Sequence, residues 1–484
     1  IIVAFSGLHI LAHCMIGGVS QLLRIFRPTR LSAPPPRLDA VELLTLLAEQ
    51  SARLSPETAP ANSRQPTQPA HDAAQRRMEV RNSAVHARTE TTGQSRVSKL
   101  RNLTLQSNPF VVAAAVAITG ASVMVAADRL AVDQLQIHRV NSADAPTLDG
   151  DTSDRAWRNI APFSLITSGG GNFDGKGETR IQIRAVHDGT WAYFLFTWED
   201  PTRSLKHLPL VKEVDGWHVL HDGYEIGDEH DFNEDQFSVL LTTSDAILAG
   251  DRTFHAGPHP IPGAPASMTG RGLHYTAGDT GYVDVWQWKA TSGGPTGWMD
   301  DAHFGPPLDA TPAQARNIIP YKGGFAPDPG IANYTNNFVV NDEATGADKP
   351  AIAPRRLPKD IAATVAAMGE IDLDPNHGES DGARWFMTDA ESMPYSAELD
   401  ARVPVGTVIP GVVAAGEFSG DRADIRCAAR WASGHWALEV VRRIDTHSQY
   451  DVPIKTGVFM RVAAFDHSQI RHTRHVRPIR LEVE

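Results

Sequence analysis

Histidine is the residue type whose placement in this chain could do chemistry. Near the C-terminus the run FDHSQIRHTRH carries His467, His472 and His475, with Arg471 and Arg474 between them. Neutral imidazole ligates metal centres, haem iron included, and a guanidinium grips a carboxylate in bidentate fashion. At the other end, His9 and His13 are spaced to share one face of a helix. His207, His255, His274 and the thioether of Met268 are further donors. For each there is a plain alternative, in which the side chain is solvated or bonded to a neighbouring element. No G-x-S-x-G, P-loop or H-E-x-x-H is present, which removes the common hydrolase and nucleotide chemistries. Cys14 and Cys427 form neither C-x-x-C-H nor a zinc cluster, so covalent c-type haem is excluded. A formal net charge of −12 argues against nucleic acid as the main partner.

The elements that would position these donors are mostly strands. In residues 178–187, Ile181, Ile183 and Ala185 alternate with Arg180, Gln182 and Arg184, the pattern of a half-buried strand. Asp188-Gly189 suits a tight turn into a second strand over residues 191–198. That strand is bulky on both faces, as expected of a sandwich strand covered twice. A second hairpin turns at Ser433-Gly434, and strands over 237–242, 458–465 and 476–483 complete the pattern. Residues 312–400 are expected to be a long excursion with one helix at 361–368. The acidic run at 227–235 lacks the D-x-D-x-D-G spacing of a calcium loop and reads as a solvated loop. Residues 253–307, rich in Gly, Pro, His and Trp, suggest walls around a planar ligand. Trp286 and Trp288 alternate there on one short strand, where core packing is the alternative.

Two apolar stretches precede the strands. Residues 1–26 and the run at 109–127 are each long enough to span a bilayer. Residues 27–107, rich in Pro, Ala, Ser, Gln and Arg, read as a disordered connector. Arginines and a lysine beside both stretches place that connector in the cytoplasm. The chain opens without Met and is read as a piece of a longer protein.

HDGTWAYFLFTWEDPTRSLKHLPL, GRGLHYT and DVWQWKA together resemble the haem-binding domain of the ethylbenzene dehydrogenase gamma-subunit family. The same domain type occurs in related subunits of the dimethyl-sulfoxide-reductase group and in the cytochrome c-552 family. The resemblance covers residues 143–484 and implies non-covalent haem b, with one ligand early in the domain and one near its C-terminus. The C-terminal position falls at His472 to His475, and His472 is favoured, with Arg471 suited to a propionate. The early loop, residues 167–173, holds no Met or His, so His207, His274, His255 and Met268 remain open as the second ligand. GLHILAHCMIGG followed by RIFRP resembles the last helix of nickel-hydrogenase-type cytochrome b domains, which would make His9 and His13 haem ligands. The expected fold is therefore mainly β: an antiparallel β-sandwich haem-binding domain preceded by two transmembrane helices, at 1–26 and 108–128. The expected protein is integral to the bacterial inner membrane, with its C-terminal domain in the periplasm, passing electrons between quinone and a redox partner protein. A tethered ligand- or carbohydrate-binding sandwich is the alternative, and a catalytic subunit fits least.

Overall fold

Alternating apolar residues build two facing sheets. The computed structural model describes residues 114, 116–124, 133–243, 264–277, 281–341 and 351–484. The chain divides into two compact units, Ile1–Ala131 and Val132–Glu484. In the second, the strands of the main sheet path are β1 (Asp133–Arg139), β2 (Phe163–Ser168), β3 (Glu178–His187), β4 (Trp191–Glu199), β5 (Gln236–Thr242) and β6 (Val283–Lys289). They continue with β7 (Asp300–Phe304), β8 (Phe325–Pro327), β9 (Ile425–Ala432), β10 (His435–Arg443), β11 (Phe459–Phe465) and β12 (Ile479–Val483). Their order is β8-β7-β6-β5-β11-β12-β1-β3-β4-β10-β9, with β2 paired to β3.

β1 joins the two sheets. Its residues Asp133 to Ile137 pair with β12, and His138 and Arg139 pair with β3, in both cases in parallel. The other pairings along this path are antiparallel. β1 lies ahead of residue 143, outside the strands expected from the sequence. The hairpins β3–β4 and β9–β10 and helix α1 (Ile361–Met368) lie where the periodicity puts them.

β4 is covered on both faces, as its bulk requires. On one face Phe194 meets Trp286 at 5.7 Å, Phe196 meets Phe237 at 4.9 Å and Trp198 meets Phe237 at 4.7 Å between ring centroids. β5 and β6 of the opposite sheet supply Phe237 and Trp286, so this is the core between the sheets. On the other face Leu195 packs with Val186 and Trp157. Trp157 is held by its indole N–H, which donates to Glu439 Oε1 at 2.9 Å. The other oxygen of Glu439 accepts the N–H groups of Asp149 and Gly150. One buried carboxylate on β10 thus fastens residues 145–157 over the back of the sheet, and burial pushes its pKa up.

The expectation of two transmembrane helices is corrected. Among the described residues no helix is long and apolar enough to cross a membrane. The described part of the second apolar run is helical over residues 116–124. Residues 1–26, with His9 and His13, lie outside the described residues. The reading of the chain as integral to the inner membrane with a periplasmic domain, resting on those spans, is withdrawn with them.

Glu439→Ala strands two buried donors, Gly150 N–H and the Trp157 indole, and each unpaired buried donor costs about 1–3 kcal/mol. The variant is expected to lose about 2–4 kcal/mol of stability, read as an earlier urea midpoint, and Glu439→Gln to lose less. An unchanged midpoint in Glu439→Ala would show that the anchor is dispensable.

Candidate functional site

The loop between β2 and β3 lies against the loop after β11. Ser168 and Arg474 exchange backbone hydrogen bonds of 2.9 and 3.0 Å. The Gly171 N–H donates to Arg471 O at 2.7 Å, and Asn172 Nδ2 donates to Asp466 O at 2.8 Å. Three consecutive glycines, Gly169 to Gly171, make this approach possible. A Cβ on Gly170 would lie 2.9 Å from Thr473 Cγ2 and 3.0 Å from its backbone N. The early loop without Met or His therefore serves as the floor of the histidine-bearing loop, and the glycine triplet is the signal for it in the sequence.

His472 stands on that loop with its ring 5.1 Å from Phe465 and 6.2 Å from His274. His274 in turn stacks on Phe304 of β7 at 5.4 Å. His472 Nδ1 contacts Thr473 O at 2.8 Å. A carbonyl can only accept, so Nδ1 carries the proton and the lone pair falls on Nε2. Burial, then the charges of His274, Arg474 and Arg271 against the bond to Thr473, hold the His472 pKa down at about 4. At neutral pH the ring is thus an uncharged imidazole whose orientation is set by a backbone carbonyl, the arrangement usual for a histidine ligand. The residues fit a haem in donor chemistry: a neutral imidazole, a second imidazole beside it, aromatic flanks from Phe304 and Phe465, and cationic Arg271 and Arg474 nearby.

The other candidates lie in different settings. His475 Nε2 accepts the Val462 N–H at 3.0 Å, and its Nδ1 donates to Arg477 O at 2.7 Å. Both of its ring nitrogens are engaged, and burial lowers its pKa to about 4. His207 places Nδ1 2.7 Å from Asn233 Oδ1 and Nε2 3.2 Å from Asn336 Oδ1, within a hydrogen-bonded loop network. Arg471 is bidentate to Asp228, at 2.9 and 2.8 Å. Met268 is partly buried in a turn. His255, with His9 and His13, lies outside the described residues. Of the four open second ligands, the fold brings His274 beside His472. Trp286 and Trp288 are 0% and 1% exposed, so they form core and present no stacking platform for a sugar.

The acidic run is a second correction to the sequence reading. Asp228, Glu229, Glu234 and Asp235 are buried. Glu229 accepts the N–H groups of Asp222, Asp231 and Phe232, and Glu234 those of Thr291 and Ser292. Carboxylates with backbone partners can be buried where solvated ones cannot; composition alone does not show those partners. Asp235 further joins Asp200 and Asp466, with carboxylate oxygens within 4.8 Å of one another. Burial, then mutual repulsion, raises the pKa of Asp200 and Asp235 well above the ordinary range. Most of these oxygens are occupied: Asp235 accepts from Ser204 N, Trp436 Nε1 and His467 N, and Asp466 from Phe173 N and His467 Nδ1.

A family model described as ethylbenzene dehydrogenase matches residues 154–477. No curated protein matches the chain. Among solved structures, a family 9 carbohydrate binding module from Caldicellulosiruptor kristjanssonii in complex with glucose is similar at 7% identity and a TM-score of 0.25, over 73% of this chain and 97% of that one. The module in complex with cellotriose gives 7% identity and a TM-score of 0.25, over 73% and 95%. At these scores neither likeness bears on what this chain binds.

The neutral histidines make folding sensitive to acid. Their folded pKa of about 4 lies below the ordinary 6.5, so the unfolded chain takes up protons first as pH falls. The stability they contribute is complete above pH 6.5 and is lost progressively towards pH 4. The Tm of the wild-type chain is expected to fall more steeply over that window than the Tm of His472→Gln. Parallel curves would show that His472 is not desolvated.

Proposed function

This chain belongs to the ethylbenzene dehydrogenase family, and on that premise we propose that its β-sandwich binds haem b non-covalently and serves electron transfer. His472 and His274 would hold its iron through their imidazole nitrogens. The observation that carries this is the pairing of two imidazoles about 200 residues apart in the chain, with ring centroids 6.2 Å apart, one of them held neutral with its lone pair on Nε2. The chemistry a bound haem supplies is one-electron transfer at its iron. The chain's own residues set the conditions for it. Thr473 O fixes the His472 tautomer, Phe304 and Phe465 pack against the two rings, and Arg271 and Arg474 offer charge to carboxylate-bearing edges. Arg471, already paired to Asp228, holds the loop to the 221–235 segment. In this reading the protein is an electron carrier or oxidoreductase subunit that exchanges electrons with an external redox partner and changes no covalent bond of a substrate.

The test is a reduced-minus-oxidised visible spectrum with a pyridine haemochrome assay on the full chain, expressed with haem available. A b-type spectrum at about one haem per chain is expected. His472→Ala and His274→Ala are each expected to lose the low-spin signature, while His475→Ala, whose ring nitrogens are engaged elsewhere, keeps it. A folded chain that stays colourless with haem supplied would sink the reading.

A further inference from the structure

A second group of buried carboxylates, away from His472 and His274, has donors for only one oxygen of each carboxylate. Asp284 lies at the start of β6, Asp301 in β7, Asp328 just after β8 and Asp451 between β10 and β11. Asp284 and Asp301 are 0% exposed and Asp328 2%. Each carboxylate uses one oxygen locally. Asp284 Oδ2 accepts from Arg442 Nη1 at 2.6 Å and from Val452 N at 3.0 Å. Asp301 Oδ1 accepts from Ala302 N at 3.1 Å, Asp451 Oδ2 from Thr446 Oγ1 at 2.6 Å, and Asp328 Oδ1 from His303 Nδ1.

The remaining oxygens, Asp284 Oδ1, Asp301 Oδ2, Asp328 Oδ2 and Asp451 Oδ1, are buried and have no hydrogen-bond partner. Ligand oxygens of Asp284, Asp301 and Asp451 come within 4.8 Å of one another, and Asp328 faces Asp451 and Asp301. A buried acceptor without a donor is costly, and several carboxylates at such distances repel strongly. Arg442, itself fully buried and 5.1 Å over the Trp286 ring, pairs with Asp284 and Asp451, so its single charge is shared among four carboxylates. Burial and repulsion raise the pKa of Asp301, and that of Asp284 to about 7.

We propose that Asp284, Asp301, Asp328 and Asp451 form a binding site for a hard divalent cation of the calcium class, which ties the β6–β7–β8 edge of one sheet to the loop following β10. The donors are all carboxylate oxygens, with no nitrogen or sulfur among the four, the set preferred by calcium rather than by zinc or copper. They come from four separate segments, so the ion closes long stretches of chain at one point. Calcium, which accepts six to eight oxygens in flexible geometry, suits this irregular set better than magnesium with its strict octahedron. The competing account is a proton shared between Asp328 and Asp451.

The full chain, stripped with EGTA and dialysed, is titrated with CaCl2 by calorimetry and melted with and without 1 mM CaCl2. Saturable binding and a Tm rise of about 2–4 °C are expected. Asp301→Asn and Asp451→Asn, both isosteric, should weaken the binding at least about tenfold and abolish the rise. Asp231→Asn, in the acidic run, should bind as the wild type does. No binding heat in the wild type, a Tm that depends on pH but not on calcium, or an Asp301→Asn variant that binds unchanged would each overturn the site. The wild-type comparison decides the matter even if a variant fails to fold.

Discussion

The structure depends on the interlocking of aromatic rings between the two sheets. Trp198 stacks on Phe237 at 4.7 Å, and Trp288 lies edge-on to both Trp198 at 5.7 Å and Trp436 at 4.8 Å. Each large ring removes roughly 150–250 Å² from water, a gross contribution of about 4–6 kcal/mol. Such rings cannot slide past one another without opening voids, so the register of β4, β5, β6 and β10 is held where they meet. Trp436 also donates its indole N–H to Asp235 at 3.0 Å. That bond carries the rigidity of the core out to the loops at the strand ends.

Carboxylates organise those loops. Glu229, Glu234 and Glu439 are buried and each collects backbone N–H groups, Glu229 from its own loop and the other two from segments distant in the chain. Low local dielectric strengthens such bonds when every acceptor is satisfied and makes any unsatisfied one costly. The molecule therefore shows two kinds of acidic cluster. In one, neighbouring N–H groups occupy most of the oxygens, and the cluster behaves as part of the scaffold. In the other, at Asp284 and Asp301, oxygens face one another with a single guanidinium among them, which is the chemistry of a cation site.

Against that scaffold the histidine site is assembled from three loops. Glycines at 169–171 let the loop after β2 pass directly beneath residues 471–474, and the chain before β6 brings His274 alongside. In the pair, a backbone carbonyl assigns the ring nitrogens of His472. The haem reading rests on this imidazole and on family membership together, since a buried neutral histidine alone is also an ordinary core residue.

The sequence by itself determined the local elements. Strict alternation in β3, the Asp188-Gly189 and Ser433-Gly434 turns and the eight-residue α1 follow from periodicity and turn chemistry, which act over a few residues. It also pointed to His472 and to a haem-type family. Only the tertiary structure decided the rest. Leu135 and Ile137 of β1 alternate with polar residues, but its parallel partners β12 and β3 come from distant segments. The acidic run is buried because donors such as Thr291, Ser292 and Arg471 reach it from other segments. His274 and His472 become neighbours across about 200 residues of chain. Each outcome depends on desolvation and partners supplied by distant segments, and those forces do not appear in any local window.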